Sequence, residues 1–220
     1  MTRTATLLRL PASVAATVRL AVLVVSIFLM AGPARAATPD AQSDGATFLR
    51  AFGEQAIAML ADDSLSKEER AHEFRSLLQS GFDMERIGRA VLGRHWRSAA
   101  PEQRAEFLQL FEDFIIAAYA DRLSASSGQT LEVGAAHVRG DKDALVRSRV
   151  LSPDGPAAAV DWRLRRTADG WRIVDVVIEG VSMTITHRSE FASVISNNRG
   201  GIEGLLQMLR KKTNATDLGA

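Results

Sequence analysis

The spacing of apolar residues changes partway along the chain, from the period of a helix to the period of a strand. Between residues 45 and 124, apolar positions recur every three to four residues, as on one face of a helix. From about residue 131 to residue 182, apolar and polar positions alternate, as in strands with one buried face. The pattern predicts a block of helices, then a sheet, and a short return to helix near the C-terminus.

The ends of the predicted helices carry recognisable signals. Ser66 and Glu69 form the S-x-x-E pattern of a capping box, with the serine at the N-cap. Asp83 is placed to cap a short helix, and Pro101 suits the first position of a long one. The predicted helices before the change in period cover residues 45–61, 67–81, 84–92 and 101–124.

Four short strands follow, separated by turns rich in glycine and proline. The turn signals lie at residues 152–156 and 167–170. Because tight turns join neighbouring strands, we expect an antiparallel meander. Two short helices, at residues 189–196 and 202–211, complete the pattern. The order predicts an α+β domain with helices packed on one face of a four-stranded antiparallel sheet.

The two faces of this sheet differ in character. One face carries four arginines from two neighbouring strands, namely Arg147, Arg149, Arg163 and Arg165. Strict alternation along the last strand places Asp175 and Glu179 on this polar face, together with Trp171 and Ile173. We expect both acids to face water beside arginines, as cross-strand charge pairs do. A bulge at Gly180 would re-aim Glu179. The opposite face is apolar, and the pattern fits both a filled core and a core left open as a cavity.

The N-terminus has the layout of a secretory signal peptide. Arginines precede an apolar run at residues 20–31, and the small-x-small pattern Ala34–Ala36 follows. Twelve helical residues span only about 18 Å, less than the roughly 30 Å of a bilayer core. We therefore expect residues 1–36 to be a cleaved leader, residues 37–44 a flexible lead-in, and the mature chain to be periplasmic. Losing the leader's four arginines changes the net charge from +1 to −3, which does not favour nucleic acid.

Catalytic and metal-binding motifs are not evident in the sequence. There is no cysteine, no P-loop and no G-x-G-x-x-G pattern. The four histidines lack partners at helical metal-ligand spacing, so we expect them at surface or boundary positions: His72, His95, His137 and His187. The sequence thus predicts no catalytic site, no metal and no cofactor.

An ordered set of short motifs resembles one family of proteins. The set spans about residues 45–212 and consists of Phe82–Asp83, Val91–Arg97, Pro101–Arg104, Phe107, Phe111, Tyr119, Ser127–Gln129, Gly170–Ser182 and Arg188–Phe191. It resembles the MlaC family of periplasmic phospholipid-binding proteins, also called toluene-tolerance proteins. Ala100, Val174, Met183 and His187 depart from the family's common pattern.

The resemblance implies a nuclear-transport-factor-2-like, cystatin-related fold with lipid tails between sheet and helices. It implies a lipid carrier rather than an enzyme, with phospholipid as cargo and no cofactor. Such proteins move lipid between an outer-membrane lipoprotein complex and an inner-membrane ABC transporter, which maintains outer-membrane asymmetry. We expect one such domain at residues 45–212, acting as a monomer, and a tail at 213–220.

Under this resemblance, the apolar sheet face and the long helix would enclose the tails. We expect the cavity to be lined by Phe111, Ile115 and Tyr119 from the helix, and by Val160, Trp162, Val176 and Ile178 from the sheet. Two alternatives stay open: a related branch, HpnM, is associated with hopanoids, and enzymes of the isomerase or dehydratase type share this fold. The enzyme alternative requires Asp175 to point inward as a desolvated base.

Overall fold

The computed structural model describes residues 39–124, 128–153 and 155–217. Internal contacts divide the chain into two units, residues 1–36 and 37–220, and every described residue belongs to the second. The expected signal peptide at residues 1–36 lies outside the described residues. Within them, no helix is both long and apolar enough to cross a membrane.

Seven helices and five strands make up the described residues. The helices are α1 (Pro39–Ala61), α2 (Lys67–Gly81), α3 (Met84–Leu92), α4 (His95–Ser98), α5 (Pro101–Ser124), α6 (Met183–Asn197) and α7 (Ile202–Asp217). The strands are β1 (Thr130–Arg139), β2 (Asp143–Leu151), β3 (Ala158–Thr167), β4 (Gly170–Ile178) and β5 (Val181–Ser182). The expected α+β order of helices, sheet and helices is confirmed.

Local sequence signals start the helices as expected. Ser66 Oγ accepts a hydrogen bond from the backbone of Glu69 at 3.2 Å, and the Glu69 carboxylate accepts one from the backbone of Ser66 at 2.9 Å, which closes the capping box. Asp83 Oδ1 caps α3 by accepting from the backbone N–H of Arg86 at 3.0 Å. Helix α1 begins at Pro39, so part of the expected lead-in is helical, and α7 extends into the expected tail.

The sheet is an antiparallel meander in which each strand pairs with the next along the chain. The four expected strands are present, and the two-residue strand β5 extends the sheet beside the end of β4. The pairing of β1 with β2 is irregular between Val133 and Ala136, and the pairing of β3 with β4 shifts next to Arg163. The second shift determines the faces of β4.

A bulge at Val174 corrects the expected faces of the last strand. Asp175 pairs with Arg163, but the next residue of β3, Leu164, pairs with Ile173, so Val174 is an extra residue. The bulge turns Ile173 and Trp171 inward, and they are only 0% and 5% exposed. Strict alternation wrongly placed both of them on the polar face, because alternation assumes an uninterrupted strand.

Two apolar clusters form the interior. One lies between the sheet and helices α1 and α2, and includes Leu49, Val146 and Ile173. The other joins α3, α5, α6 and α7 around Phe107 and Phe191. Burying each large apolar side chain contributes about 1.5–3 kcal/mol, so these clusters hold the helices against the sheet. The space between the two clusters is not completely filled.

Candidate functional site

A cavity of about 280 Å³ lies between the inner sheet face and the helices. Residues from α1, α2, α3, α5, α6, β3 and β4 line it, and nearly all of their side chains are apolar. The polar or titratable exceptions are Asp175 on β4, Thr184 and His187 on α6, and Tyr119 on α5. A largely apolar concave site with a few polar groups is typical of a small-molecule pocket.

The structure brings most of the expected cavity residues together. Six of the seven line the cavity, namely Phe111, Ile115, Tyr119, Trp162, Val176 and Ile178. Val160 is buried and pairs with Ile178 across the strands, but it does not reach the cavity wall. Contact of these residues with a bound lipid remains a prediction.

Helices α1 and α2 supply wall residues that the sequence analysis did not single out as candidates for the cavity. They include Phe52, Ala56 and Met59 from α1 and Phe74 and Leu77 from α2. The signal in the sequence was an apolar stripe at helical spacing, which looks the same in a filled core and in a cavity wall. Only packing distinguishes the two.

Hydrogen bonds and ring contacts fix the aromatic part of the wall. Trp162 Nε1 donates to Ser148 Oγ at 2.8 Å, and that hydroxyl donates to the carbonyl of Val160 at 3.0 Å. The ring of Phe52 packs edge-on against Trp162 and against Phe82, with centroids 6.1 and 5.6 Å apart. Because the indole N–H is satisfied, Trp162 can present an apolar face to the cavity.

Asp175 does not face water, contrary to expectation. Its side chain is 6% exposed, and the residue is among those lining the cavity. The predicted arginine partner is present, since Arg163 Nη1 donates to Oδ2 at 3.1 Å. Ser182 Oγ donates to the same oxygen at 2.7 Å, and the backbone N–H of Thr184 donates to Oδ1 at 3.1 Å. Strand β5 and the start of α6 cover the carboxylate, and no strand pattern could show that cover.

Glu179 is exposed, and it has no arginine partner among the residues that the structure describes. It accepts a hydrogen bond from the backbone N–H of Ala159, and its φ of +49° places it in a tight turn with Gly180. The other arginines of the polar face lie beside different acids than expected. Arg165 contacts Asp143 at 3.1 Å, and two longer pairs at 3.9 Å join Arg147 to Asp161 and Arg149 to Glu132.

His187 is a buried wall residue, not the surface or boundary residue that we expected. Three phenylalanine rings surround its imidazole at centroid distances of 5.7–6.2 Å: Phe111, Phe114 and Phe191. Its Nδ1 lies 3.1 Å from Glu190 Oε2. In the described part of the chain, no group of three or more histidines and acids is arranged to hold a metal ion.

Comparison with known proteins gives two relatives, of which one is named for phospholipid transport and the other for toluene tolerance. The intermembrane phospholipid transport system binding protein MlaC of Haemophilus influenzae is 26% identical over 136 residues, 60% of this chain and 63% of that protein. The toluene tolerance protein ttg2D of Pseudomonas putida is 23% identical over 122 residues, 55% of this chain and 57% of that protein. The matched region thus spans less than two thirds of either relative.

A solved structure with the same architecture is that of the phospholipid-binding protein from Ralstonia solanacearum in complex with a phospholipid. It is 27% identical, superposes with a TM-score of 0.70, and the match covers 79% of this chain and 99% of that one. The family profile described as MlaC protein matches residues 50–211, which is most of the chain. The chain therefore belongs to the MlaC family.

Proposed function

We propose that this chain is a lipid carrier that binds phospholipid acyl chains in its apolar cavity. The observation that supports this most is the cavity of about 280 Å³ between sheet and helices, with its mainly aliphatic and aromatic wall. A relative in Haemophilus influenzae bears the name of a phospholipid transport binding protein, and the Ralstonia solanacearum structure holds a phospholipid. Both agree with a wall that contacts hydrocarbon.

The energetics of lipid transfer explain why a carrier needs such a cavity. A diacyl lipid has about thirty methylenes, and each is worth about 0.8 kcal/mol on leaving water. Transfer through water alone therefore faces a barrier on the order of 20 kcal/mol. A carrier replaces bilayer contacts with protein contacts nearly one for one. Methyl groups and aromatic rings make these contacts without hydrogen-bond selectivity, so we expect loose discrimination among acyl chains.

The proposed setting is the periplasm, reached through cleavage of residues 1–36. There the chain would exchange lipid with an outer-membrane lipoprotein complex and an inner-membrane ABC transporter, and so help to maintain the asymmetry of the outer membrane. Membership of the MlaC family supports partners in a transport system, as does the name of the Haemophilus influenzae relative. A hopanoid as cargo is the alternative within the same function, and identifying the co-purified lipid by mass spectrometry separates the two.

A catalytic base at Asp175 would need a desolvated carboxylate and an oxygen free to take a proton. The structure meets the first condition but not the second. The residue is buried at the cavity, as a desolvated base requires. Its two carboxylate oxygens already accept three hydrogen bonds, from Arg163, Ser182 and the backbone of Thr184. A general base needs an oxygen within reach of the proton that it removes. The arrangement therefore favours a structural role for Asp175 at the start of α6.

A pair of matched substitutions on α1 tests the carrier function. Ala56 lines the cavity, whereas Ala58, two positions later on the same helix, is exposed. Ala56→Phe should fill the cavity and lower the lipid-bound fraction in native mass spectrometry after incubation with phospholipid vesicles. Ala58→Phe adds the same ring at the surface and should bind lipid as the wild type does.

Thermal melting of both variants shows whether the fold is kept. Equal lipid occupancy in folded Ala56→Phe and wild type would show that the cavity is not the binding site. A wild-type protein that purifies without lipid and extracts none from vesicles would refute the carrier function itself.

A further inference from the structure

Three exposed aliphatic side chains fall in one short segment of the fold. Within the described residues, the large hydrophobic side chains that are most exposed are Ile178, Val181 and Ile185, at 39%, 53% and 56%. Ile178 and Val181 pair directly across the turn between β4 and β5. Ile185 follows in the first turn of α6, where its backbone N–H donates to Ser182 Oγ at 3.2 Å. We call Ile178, Val181 and Ile185 the apolar lip.

The apolar lip borders the cavity. Ile178 belongs to both, since it lines the cavity and is also exposed, and Met183 in the same segment lines the cavity as well. Other lining residues are almost fully buried, such as Phe74 at 8% and Phe111 at 1% exposure. An acyl chain that leaves the cavity past Ile178 would therefore meet the apolar lip.

Hydrogen bonds hold the segment that carries the apolar lip. The Asp175 carboxylate accepts from Ser182 Oγ at 2.7 Å and from the backbone N–H of Thr184 at 3.1 Å, which ties β5 and the start of α6 to β4. In the turn, the backbone N–H of Glu179 donates to the carbonyl of Ala159 at 3.0 Å, and the Glu179 carboxylate accepts from the backbone N–H of Ala159. An apolar surface that the fold keeps exposed is typical of an interaction site.

The charges around the apolar lip do not favour a bilayer as the surface that covers it. Arg163 is paired with Asp175 at 3.1 Å, and Arg188 on α6 donates to the backbone carbonyl of Ala90. Glu179, in the turn of the apolar lip, has no arginine partner among the described residues. Membrane binding by a small apolar patch depends on added attraction between a cluster of basic residues and anionic lipids. The segment offers instead an apolar surface around one carboxylate.

We propose that the apolar lip is the docking surface for a partner protein that exchanges lipid with this chain, and that the partner presents aliphatic side chains around a basic residue. The aliphatic side chains cover the apolar lip, and the basic residue pairs with Glu179. Contact there joins the cavity to the partner's own apolar surface, so an acyl chain crosses without entering water. The inference rests on the proposed carrier function and specifies where the partner meets the carrier.

The test measures lipid transfer from carrier loaded with a fluorescent phospholipid to the inner-membrane ABC transporter complex in nanodiscs. Ile185→Asp places a charge on the apolar lip, in the first turn of α6, where an acid suits the helix dipole and the fold should be kept. We expect transfer to slow by roughly tenfold, because a charge without a partner is strongly unfavourable at the centre of an interface. The lipid-bound fraction in native mass spectrometry should stay that of the wild type. Val181→Asp should act in the same direction.

Two further variants make the test specific. Ala105→Asp is the matched control, since Ala105 is exposed on α5 and lies about 20 Å along that helix from Tyr119 of the cavity wall. It should transfer lipid at the wild-type rate. Glu179→Lys reverses the charge that the partner's basic residue would meet, so transfer should slow, and the loss should shrink at high salt.

A parallel measurement replaces the complex by protein-free vesicles of phosphatidylethanolamine and phosphatidylglycerol. If Ile185→Asp slowed transfer to vesicles as much as transfer to the complex, the apolar lip would meet a bilayer and the inference would be wrong. Wild-type transfer to the complex by folded Ile185→Asp and Val181→Asp would also overturn it, and would leave the carrier function standing. A wild type that carries no lipid would refute the carrier function instead.

Discussion

Removing the carboxylate of Asp175 should destabilise the whole domain, because three elements meet at that group. Asp175 on β4 accepts from Arg163 on β3, from Ser182 on β5 and from the first turn of α6 at Thr184. Asp175→Ala removes all three hydrogen bonds and leaves the buried N–H of Thr184 without an acceptor.

The expected cost follows from the separate contacts. Loss of a capping acceptor at a helix start costs about 0.5–2 kcal/mol. A hydrogen bond to a charged group contributes about 1.5–3 kcal/mol. The Arg163 side chain is 54% exposed, so solvent screening reduces its pair with Asp175 to at most about 1 kcal/mol. Together we expect Asp175→Ala to lower the free energy of unfolding by about 2–6 kcal/mol, and Asp175→Asn, which retains one oxygen, by about half as much.

Urea unfolding followed by circular dichroism measures the change in the free energy of unfolding, provided that wild type and variants unfold with the same m-value. Glu132→Ala is the matched control, since Glu132 is exposed on β1 and lies 3.9 Å from Arg149. We expect that control to change stability by less than about 0.5 kcal/mol. If Asp175→Ala were no more destabilising than Glu132→Ala, the carboxylate would not join β4 to α6, and the structural role that we assign to it would be wrong.

Three further predictions concern the cavity and the helices around it. Val176→Trp should place an indole in the cavity and lower lipid occupancy in native mass spectrometry, at a melting temperature close to that of the wild type. Gly81→Ala adds a Cβ that overlaps the ring of Phe52, so urea unfolding should show a loss of about 1–3 kcal/mol. Hydrogen bonds with Ser66, mainly from its backbone N–H and secondarily with its side chain, hold the pKa of Glu69 below its ordinary value. The stability that ionised Glu69 contributes is present above the ordinary glutamate pKa of about 4.3 and is lost as the pH falls through the lowered pKa. The Glu69→Gln variant should therefore lose less stability on acidification than the wild type does.

The order of helices and strands could be predicted because each end depends on local chemistry. The capping box at Ser66 and the aspartate cap at Asp83 act over three residues, and both are visible in the sequence. The meander likewise follows from short turns. The start of α6 was expected six residues too late, because Ser182, which caps it, lies within a stretch that alternates like a strand.

The cavity could be predicted only in part, because its walls depend on packing between distant segments. The bulge at Val174 arises from the pairing of β4 with β3, and an alternating pattern in one strand carries no sign of it. His187 was expected at a surface or boundary, since its spacing to other polar residues gives no hint of the phenylalanines around it. Glu190 and Phe191, which both contact its ring, lie nearby in sequence, but Phe111 and Phe114 come from a different helix.

The brevity of β5 affects how this protein behaves at high concentration. A sheet with a long, flat outer strand offers a row of unsatisfied amides that can recruit another chain. Here one margin ends in a strand of two residues, Val181–Ser182, whose serine already turns into a helix. The opposite margin, β1, is interrupted between Val133 and Ala136. Because neither margin offers a long regular strand, we expect the protein to resist strand-mediated aggregation.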